Sequence, residues 1–396
     1  MSRQDLPLEG VTVLELSHIV AGPFCAMIFG DLGADVIKVE NPEGGDMLRD
    51  SSDLGNSTFD YLNRNKRSVT VNLKHDDGRA LFNELVKDAD VLLENFGPGA
   101  TERLGIGYDT LAEINDRLIY CSIKGFTPGP YEDFPALDPI AEALSGLMSV
   151  TGREDMPPVR SGTSLADMAA SFYAVISVMG ALRQRRETGT GQFIQTGLFE
   201  SSVALMGYWL AYTETSNTVP KPLGASHLNW SPYEVFSTAD DEWVFIGPAG
   251  QNQWESMCTA LECDDLVTDR RFETLDDRRR HDDELTEILR DRIGALDSSA
   301  VIERLRDQGV PVAPVNDVAD VLEDPHLNET GMLTTVDSTE GKSGSIRVPA
   351  YPVKWDGSAV FEARDAPTLG EDTNSLLREL GYSSEAIESL RDAGAI

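Results

Sequence analysis

Between residues 11 and 125 short β-rich runs alternate with helical runs, and this alternation leaves the chain few architectures to adopt. "VTVLEL" (11–16), "DVIKVE" (35–40), "SVTVNL" (68–73), "DVLLEN" (90–95) and "RLIYCSIKG" (117–125) read as strands, since β-branched and aromatic side chains suit a pleated surface. Between them, "GPFCAMIFGDLGA" (22–34) reads as an apolar helix, and "DDGRALFNELVKDA" (76–89) as an amphipathic one with Leu81, Leu85 and Val86 on one face. "DTLAEIN" (109–115) reads as a short helix. Strands that alternate with helices predict a parallel sheet covered on both faces.

Such sheets bind ligands beyond the carboxyl ends of their strands. The segments leaving those ends are "SHIVAG" (17–22), "NPEGG" (41–45), "NFGPG" (95–99) and "KGF" (124–126). Glycine lets a backbone approach a ligand closely, although any one such loop is also ordinary turn chemistry. None matches G-x-G-x-x-G or a P-loop. Their concentration at one sheet edge points to a nucleotide-like site without a familiar phosphate fingerprint.

Beyond this region comes a long apolar helical run, then a charged turn, "RQRRE" (183–187), which reads as a solvated helix end. "TSNTVPKPLGASHLNW" (215–230) is turn-rich, and "SPYEVFSTADDEWVFIGPAGQNQWESM" (231–257) reads as a hairpin, a glycine loop and a helix. The expected division is a large domain from 1–200, a linker from 201–225, a small α+β domain from 226–325, and a return through 326–396 onto the large domain.

Composition limits the partners. Asp and Glu number 67 against 33 Lys and Arg, giving a formal charge of −34 that repels nucleic acid and anionic membranes. Only eight of the cations are lysines, and an acidic, lysine-poor globular chain suits a salt-rich cytosol. Cys25, Cys121, Cys258 and Cys263 form no CxxC and no zinc spacing, so they read as reduced packing residues, and no metal is expected. The opening "MSRQDLPLEG" has no apolar signal segment. No window is expected to approach the ~18 to 20 apolar residues of a membrane span. The expected location is cytoplasmic.

One carboxylate interrupts the apolar run "RSGTSLADMAASFYAVISVMGAL" (160–182): Asp167. Taken alone, it reads as a helix cap within "TSLAD". The order of motifs along the chain adds a second reading. "LEGVTVLELSHIVAGPFCAMIFGDLGADVIKVENPEGGD", "NRNKRSVTVNLK", "VLLENFGPGATERLGIGYDTL", "SLADMAASFYAVISVMGALRQRRETGTGQ", "PYEVFSTADDEWVFIGPAGQNQWE", "GVPVAPVNDVADVLEDPHL" and "LGEDTNSLLRELGYS" succeed one another collinearly. In this the chain resembles the family III coenzyme A transferases, the group that includes formyl-CoA transferase, carnitine CoA-transferase and α-methylacyl-CoA racemase.

The resemblance implies a Rossmann-like large domain with a smaller domain, in an interlocked homodimer. It places the nucleophile on Asp167, where the helix dipole and free N–H groups would keep a carboxylate ionised. Coenzyme A, a co-substrate rather than a resident cofactor, falls on Val20, Ala21, Val71, Asn72, Leu73, Lys74, Asn95, Phe96, Gly97 and Arg103, with Lys124 at the end of the fifth strand. A family arginine aligns with Asn41. Substrate or oxyanion contacts fall on Asp138, Gly247, Gly250 and Gln251, and His18, which leaves a strand's carboxyl end, is a substrate or coenzyme candidate by its position alone. On the residues alone, Lys74 and Arg103 could equally be ion-paired, Phe96 could plug the core, and His18 could bond locally. The implied reaction moves coenzyme A from an acyl-CoA to a carboxylic acid, with C4 and C5 dicarboxylates such as succinate and mesaconate as the substrate class. A dicarboxylate's remote carboxylate would need a cation or hydroxyl, for which His18, Arg49, Arg160 and Ser161 are candidates. Racemisation is the rival within the family, but its histidine position holds Leu137. A non-catalytic CoA-binding protein is the rival outside it.

Overall fold

A computed structural model of the chain describes residues 6–49, 52–339, 344–355, 358–359 and 363–396. The first unit opens with β1 (Thr12–Leu16), α1 (Ala21–Asp31), β2 (Asp35–Glu40), α2 (Asp53–Asn63), β3 (Lys66–Thr70), α3 (Asp76–Lys87) and β4 (Val91–Glu94). It continues through α4 (Ala100–Arg103), α5 (Tyr108–Ala112), β5 (Ile119–Lys124), α6 (Asp138–Leu144), the start of α7 (Leu147–Val150), whose last two residues group with the second unit, and then α8 (Leu165–Thr188), β6 (Gln192–Gly197), α9 (Leu198–Leu205) and α10 (Gly207–Ser216). The six strands pair in parallel in the order β3-β2-β1-β4-β5-β6, which places a topological switch between β1 and β4.

Both faces of this sheet are dry. Val13, Val36, Leu93 and Cys121 pack with α1 and with Ala166, Ala170, Ala174 and Val178 of α8. Their neighbours along the strands, Leu14, Ile37, Leu92 and Tyr120, pack with Leu81, Phe82 and Leu85 of α3 on the other face. Burial on both sides explains why the strands read as nearly continuous apolar runs. The exceptions gather toward the carboxyl ends: Glu15 lies beside Lys38 in register, and Glu40, Ser68, Glu94 and Ser122 are also buried. Lys38 bonds Glu15 (3.0 Å) and Asp46 (2.9 Å), and Lys66 bonds Glu15 at 2.7 Å, so the buried charges are paired. Even so, burial pulls Lys66 down to about 8.

The second unit, comprising Ser149–Val159 and Val219–Glu323, is built around β7 (Glu234–Ser237), β8 (Trp243–Ile246), α11 (Gln251–Ala260), a 3₁₀ turn (Asp264–Thr268), α12 (Leu275–Arg280), α13 (Asp282–Ile293), α14 (Ser298–Asp307), β9 (Val312–Pro314) and α15 (Val318–Glu323). Its three strands are antiparallel, and Phe236, Val244, Trp254, Leu285, Leu289 and Val301 share its core. Arg278 is buried there, donating to Ser231 O (2.9 Å), Phe272 O (3.0 Å) and Gln251 Oε1 (3.1 Å). All four cysteines are free and buried.

The chain then returns to the first unit through α16 (Pro325–Thr330), the hairpin β10 (Leu333–Asp337) and β11 (Ser345–Pro349), the short strands β12 (Lys354–Trp355) and β13 (Ser358–Ala359), α17 (Thr373–Glu379) and α18 (Ser384–Asp392). This tail covers the open edge of the sheet: Ser68 N donates to Asp372 Oδ2 (2.9 Å) and Thr70 N to Thr373 Oγ1 (3.0 Å).

Three expectations need amendment. The stretch 201–216, read as the start of a linker, is helical, and the segment 149–159 groups with the second unit. The expectation that no window reaches membrane-span length also fails, since α8 contains an 18-residue window of mean hydropathy 1.6. The reason is packing: one face of α8 lies in the core, and the other is apolar as well.

Candidate functional site

Asp167 stands in the first turn of α8, where Ser164 at the N-cap makes no side-chain cap. The uncapped N–H groups are taken instead by a residue from another helix. Ala166 N (2.8 Å) and Asp167 N (3.2 Å) both donate to Asp138 Oδ1, the first residue of α6. This overturns the expectation that free N–H groups would keep Asp167 ionised. A carboxylate already occupies the positive end of the helix. Among the described residues no donor bonds the half-buried Asp167 carboxylate. Burial, together with the charge of Asp138, pushes Asp167 up to about 7. Burial also raises Asp138; its two N–H bonds oppose the rise, and the adjacent Glu142 carboxyl adds to it.

Glu142 is fully buried one turn along α6 and was missed by the sequence reading. The available signal was spacing, because Asp138 and Glu142 in "DPIAE" stand at i and i+4 on one helix face. Glu142 accepts Ser161 N at 2.8 Å and contacts Ser161 Oγ, which removes Ser161 from the candidates for a substrate carboxylate.

The β1–α1 loop lies against α8. Ser171 Oγ is 2.6 Å from Ala21 O and 2.7 Å from Asp167 O, joining the start of α1 to the first turn of α8. Ile19 adopts φ 68°, a left-handed conformation costly for a β-branched residue, by about 1–3 kcal/mol. It is held by Asp46, which accepts its N–H at 3.3 Å, and by Asn95, which bonds both the N–H (3.0 Å) and C=O (2.9 Å) of His18. Gly22 is required in this turn, since a Cβ there would fall 2.2 Å from Ser17 Cβ. Val20 caps α1 without a side-chain bond.

The other predicted residues divide by what they already hold. Asn95 and Phe96 meet His18, with the His18 and Phe96 rings 5.5 Å apart. His18 Nδ1 is buried without a partner, and burial followed by Lys38 holds the ring below its usual range, favouring neutral imidazole. Lys124 is committed inward, 2.7 Å from both Glu94 Oε2 and Phe96 O. Arg49 is likewise spent on Glu40 (2.8 Å). Val71 is buried, and Asn72 bonds Ala395 O (2.8 Å) and Gly394 O (3.0 Å), pinning the C-terminal segment beside Leu73. Lys74 and Arg103 are exposed and pair with no carboxylate among the described residues; Gly97 is in the same loop as Phe96. Asn41 is exposed and accepts Glu43 N. Arg160 is exposed.

In the second unit, the loop expected to supply oxyanion donors is partly committed. Gly247 N donates to Pro311 O (3.1 Å) and Ala249 N to Gln253 Oε1 (2.8 Å). Gly250 is the N-cap of α11, so the uncommitted donors are at Gly250 and Gln251, while the Gln251 side chain bonds Arg278, Glu255 and Glu273.

The model of CoA-transferase family III matches residues 8–373. The human succinyl-CoA:glutarate CoA-transferase is 35% identical over 98% of this chain and 90% of its own. The succinyl-CoA:mesaconate CoA-transferase of Haloarcula hispanica is 35% identical over 95% and 97% respectively. A CaiB/BaiF family protein from Brucella suis superposes with a TM-score of 0.87 at 34% identity, over 95% of this chain and all of the other. Matches of this length and identity, on a six-stranded α/β sheet of this order, identify an enzyme: the chain belongs to CoA-transferase family III.

Proposed function

We propose that the chain moves coenzyme A from an acyl-CoA to a carboxylic acid through covalent intermediates on Asp167. The observation that supports this is the state of that carboxylate: basic for its type, half-buried, and bonded by no donor among the described residues. A carboxylate so placed keeps its lone pairs for an electrophile. An Asp167 oxygen attacks the thioester carbonyl, the C–S bond breaks, and CoA thiolate leaves a mixed anhydride. The thiolate attacks the aspartyl carbonyl, the C–O bond breaks, and the first acid departs with an Asp167 oxygen. The resulting aspartyl thioester is attacked by the acceptor carboxylate, and the same steps in reverse release the new acyl-CoA. Protons and electrons balance without a co-reactant.

Exposed Lys74 and Arg103 would meet coenzyme phosphates beyond the sheet edge, with Val20, Ala21 and the Val71–Leu73 and Asn95–Gly97 segments as the surrounding backbone. Relatives named for succinyl-CoA with glutarate or mesaconate favour C4 and C5 dicarboxylates as the acids. Racemisation lacks support, because Leu137 beside Asp138 cannot move a proton. The working unit in this reading is a cytoplasmic homodimer, consistent with the exposed apolar face of α8.

The test uses an acceptor acid labelled with oxygen-18 in its carboxylate and an unlabelled acyl-CoA. Peptide mass spectrometry after turnover is expected to find label in the Asp167 peptide. Turnover with no label there, or full activity in Asp167→Ala, sinks the mechanism.

A further inference from the structure

We propose that Asp46 is a positioning residue for coenzyme A: braced by Lys38, it holds Ile19 in the left-handed conformation that gives the β1–α1 loop its receiving shape. This role depends on the loop contacting the coenzyme, as proposed for Val20 and Ala21. Four polar backbone groups in a row are held here. Ser17 O accepts Lys38 Nζ at 3.0 Å, the His18 N–H and C=O both bond the Asn95 amide, and Ile19 N donates to Asp46 Oδ1 at 3.3 Å. The next three N–H groups, those of Val20, Ala21 and Gly22, meet no acceptor among the described residues. They open α1 at the switch between β1 and β4, where an anionic ligand finds unpaired donors.

Ile19 does not take φ 68° unaided. A β-branched side chain is penalised in that region, and such strain persists only where surrounding contacts fix it. Asp46 supplies the fixing contact and is itself firmly seated. Its Oδ1 also accepts Leu48 N at 3.0 Å, and its Oδ2 lies 2.9 Å from Lys38 Nζ. Its own N–H donates to Glu40 Oε1 at 3.0 Å, and Glu40 is clamped by Arg49 (2.9 and 2.8 Å) and Ser68 (2.6 Å). The preceding residue must be glycine, because Gly45 sits at φ 65° and a Cβ there would fall 2.8 Å from Glu40 Oε1. Asp46 and Glu40 thus tie together the carboxyl ends of β1, β2 and β3.

Lys38 explains why the residue is an acid. Asp46 is 1% exposed and Lys38 not at all. Lys38 Nζ lies within 3.0 Å of three oxygens, Glu15 Oε1, Ser17 O and Asp46 Oδ2, so it grips the loop directly at Ser17 and through Asp46 at Ile19. Glu15 also pairs with Lys66 at 2.7 Å, and Asp46 therefore balances the second buried ammonium. A carboxylate in any orientation would satisfy that balance. The bond from Oδ1 to a strained amide is what gives this one a part in the loop. Asparagine cannot do both tasks. With its oxygen on the N–H groups of Ile19 and Leu48, its NH₂ faces the Lys38 ammonium; reversed, its NH₂ faces the two N–H groups. Either way one side of the lock is lost.

Calorimetric titration of coenzyme A into the full chain tests the role, with circular dichroism to confirm that each variant is folded. Asp46→Ala is expected to weaken binding about tenfold, because the loop then leaves the left-handed turn for most of the time. Glycine enters positive φ without a steric penalty, so Ile19→Gly makes the turn largely independent of the lock. In the Ile19→Gly background the same Asp46→Ala change is expected to cost only about two- to threefold. A general loss of stability would not depend on the residue at position 19 in this way. An equal loss in both backgrounds means that Asp46 acts on something other than the turn and overturns the proposal, as does unchanged affinity in Asp46→Ala. Where Asp46→Ala does not fold, Asp46→Asn takes its place in the cycle, with the same direction expected and the same result overturning it. A wild-type chain that binds no coenzyme A would instead overturn the coenzyme contact proposed for the loop, and the positioning role with it.

Discussion

Asp167 carries a cost that its neighbours impose. An aspartate in a first helical turn is ordinarily stabilised as an anion, but here Asp138 has the N–H groups and burial does the rest. Its carboxyl is at about 7 in the fold against 3.8 as the reference. Between those values the folded chain binds more protons than the unfolded one, so this residue's contribution to stability falls as pH rises from about 4 to about 7 and is constant above. Asp167→Asn is therefore expected to be more stable than the wild type at pH ~8.5, by at most about 4 kcal/mol, with no such gain at pH ~4. Urea midpoints at the two pH values measure this; an equal effect at both would contradict a raised pKa. Activity should move oppositely, with donor kcat/KM rising with pH to a plateau above a midpoint near 7, because only the ionised carboxylate attacks.

At the level of elements, α8 has two different faces. Ala166, Ala170, Ala174, Val178 and Ala181 are small and buried, letting the helix sit close to α1. Phe172, Tyr173, Ile176 and Met179 on the other side are exposed, Ile176 to 66%, and no residue of α10 is buried. A contiguous apolar face of this kind is unusual on a free monomer surface and suits a second copy of the chain. Ile176→Asp is expected to weaken self-association by ten- to a hundredfold, roughly 1.5–3 kcal/mol for one apolar side chain, read by light scattering across a dilution series. An unchanged association constant would remove α8 from the interface. The helix also shows where periodicity loses its power: with both faces apolar, the pattern along α8 gives length but not orientation.

For the molecule as a whole, charge is the dominant property. At −34 the surface repels itself, and about 1 M salt shortens the screening length to roughly 3 Å. The denaturation midpoint is therefore expected to rise as KCl goes from about 0.1 to about 2 M, and a flat dependence would argue against adaptation to salt. Charge, strand and helix alternation, and the loops leaving the strand ends were all legible along the chain, because each is a local property of side-chain type and spacing. So was the identity of Asp167 as a carboxylate out of place in an apolar helix. Its ionisation there was not legible, since that depends on Asp138, twenty-nine residues earlier, occupying the N–H groups of α8. The contact between Glu142 and Ser161, nineteen residues apart, was hidden for the same reason. Lys124 and Arg49 read as free cations until the fold set each beside a buried carboxylate. Local sequence thus carried the periodicities of the elements, whereas proton positions and free charges followed from non-local contacts, because electrostatic energies depend on distance in space and on burial, neither of which is written along the chain.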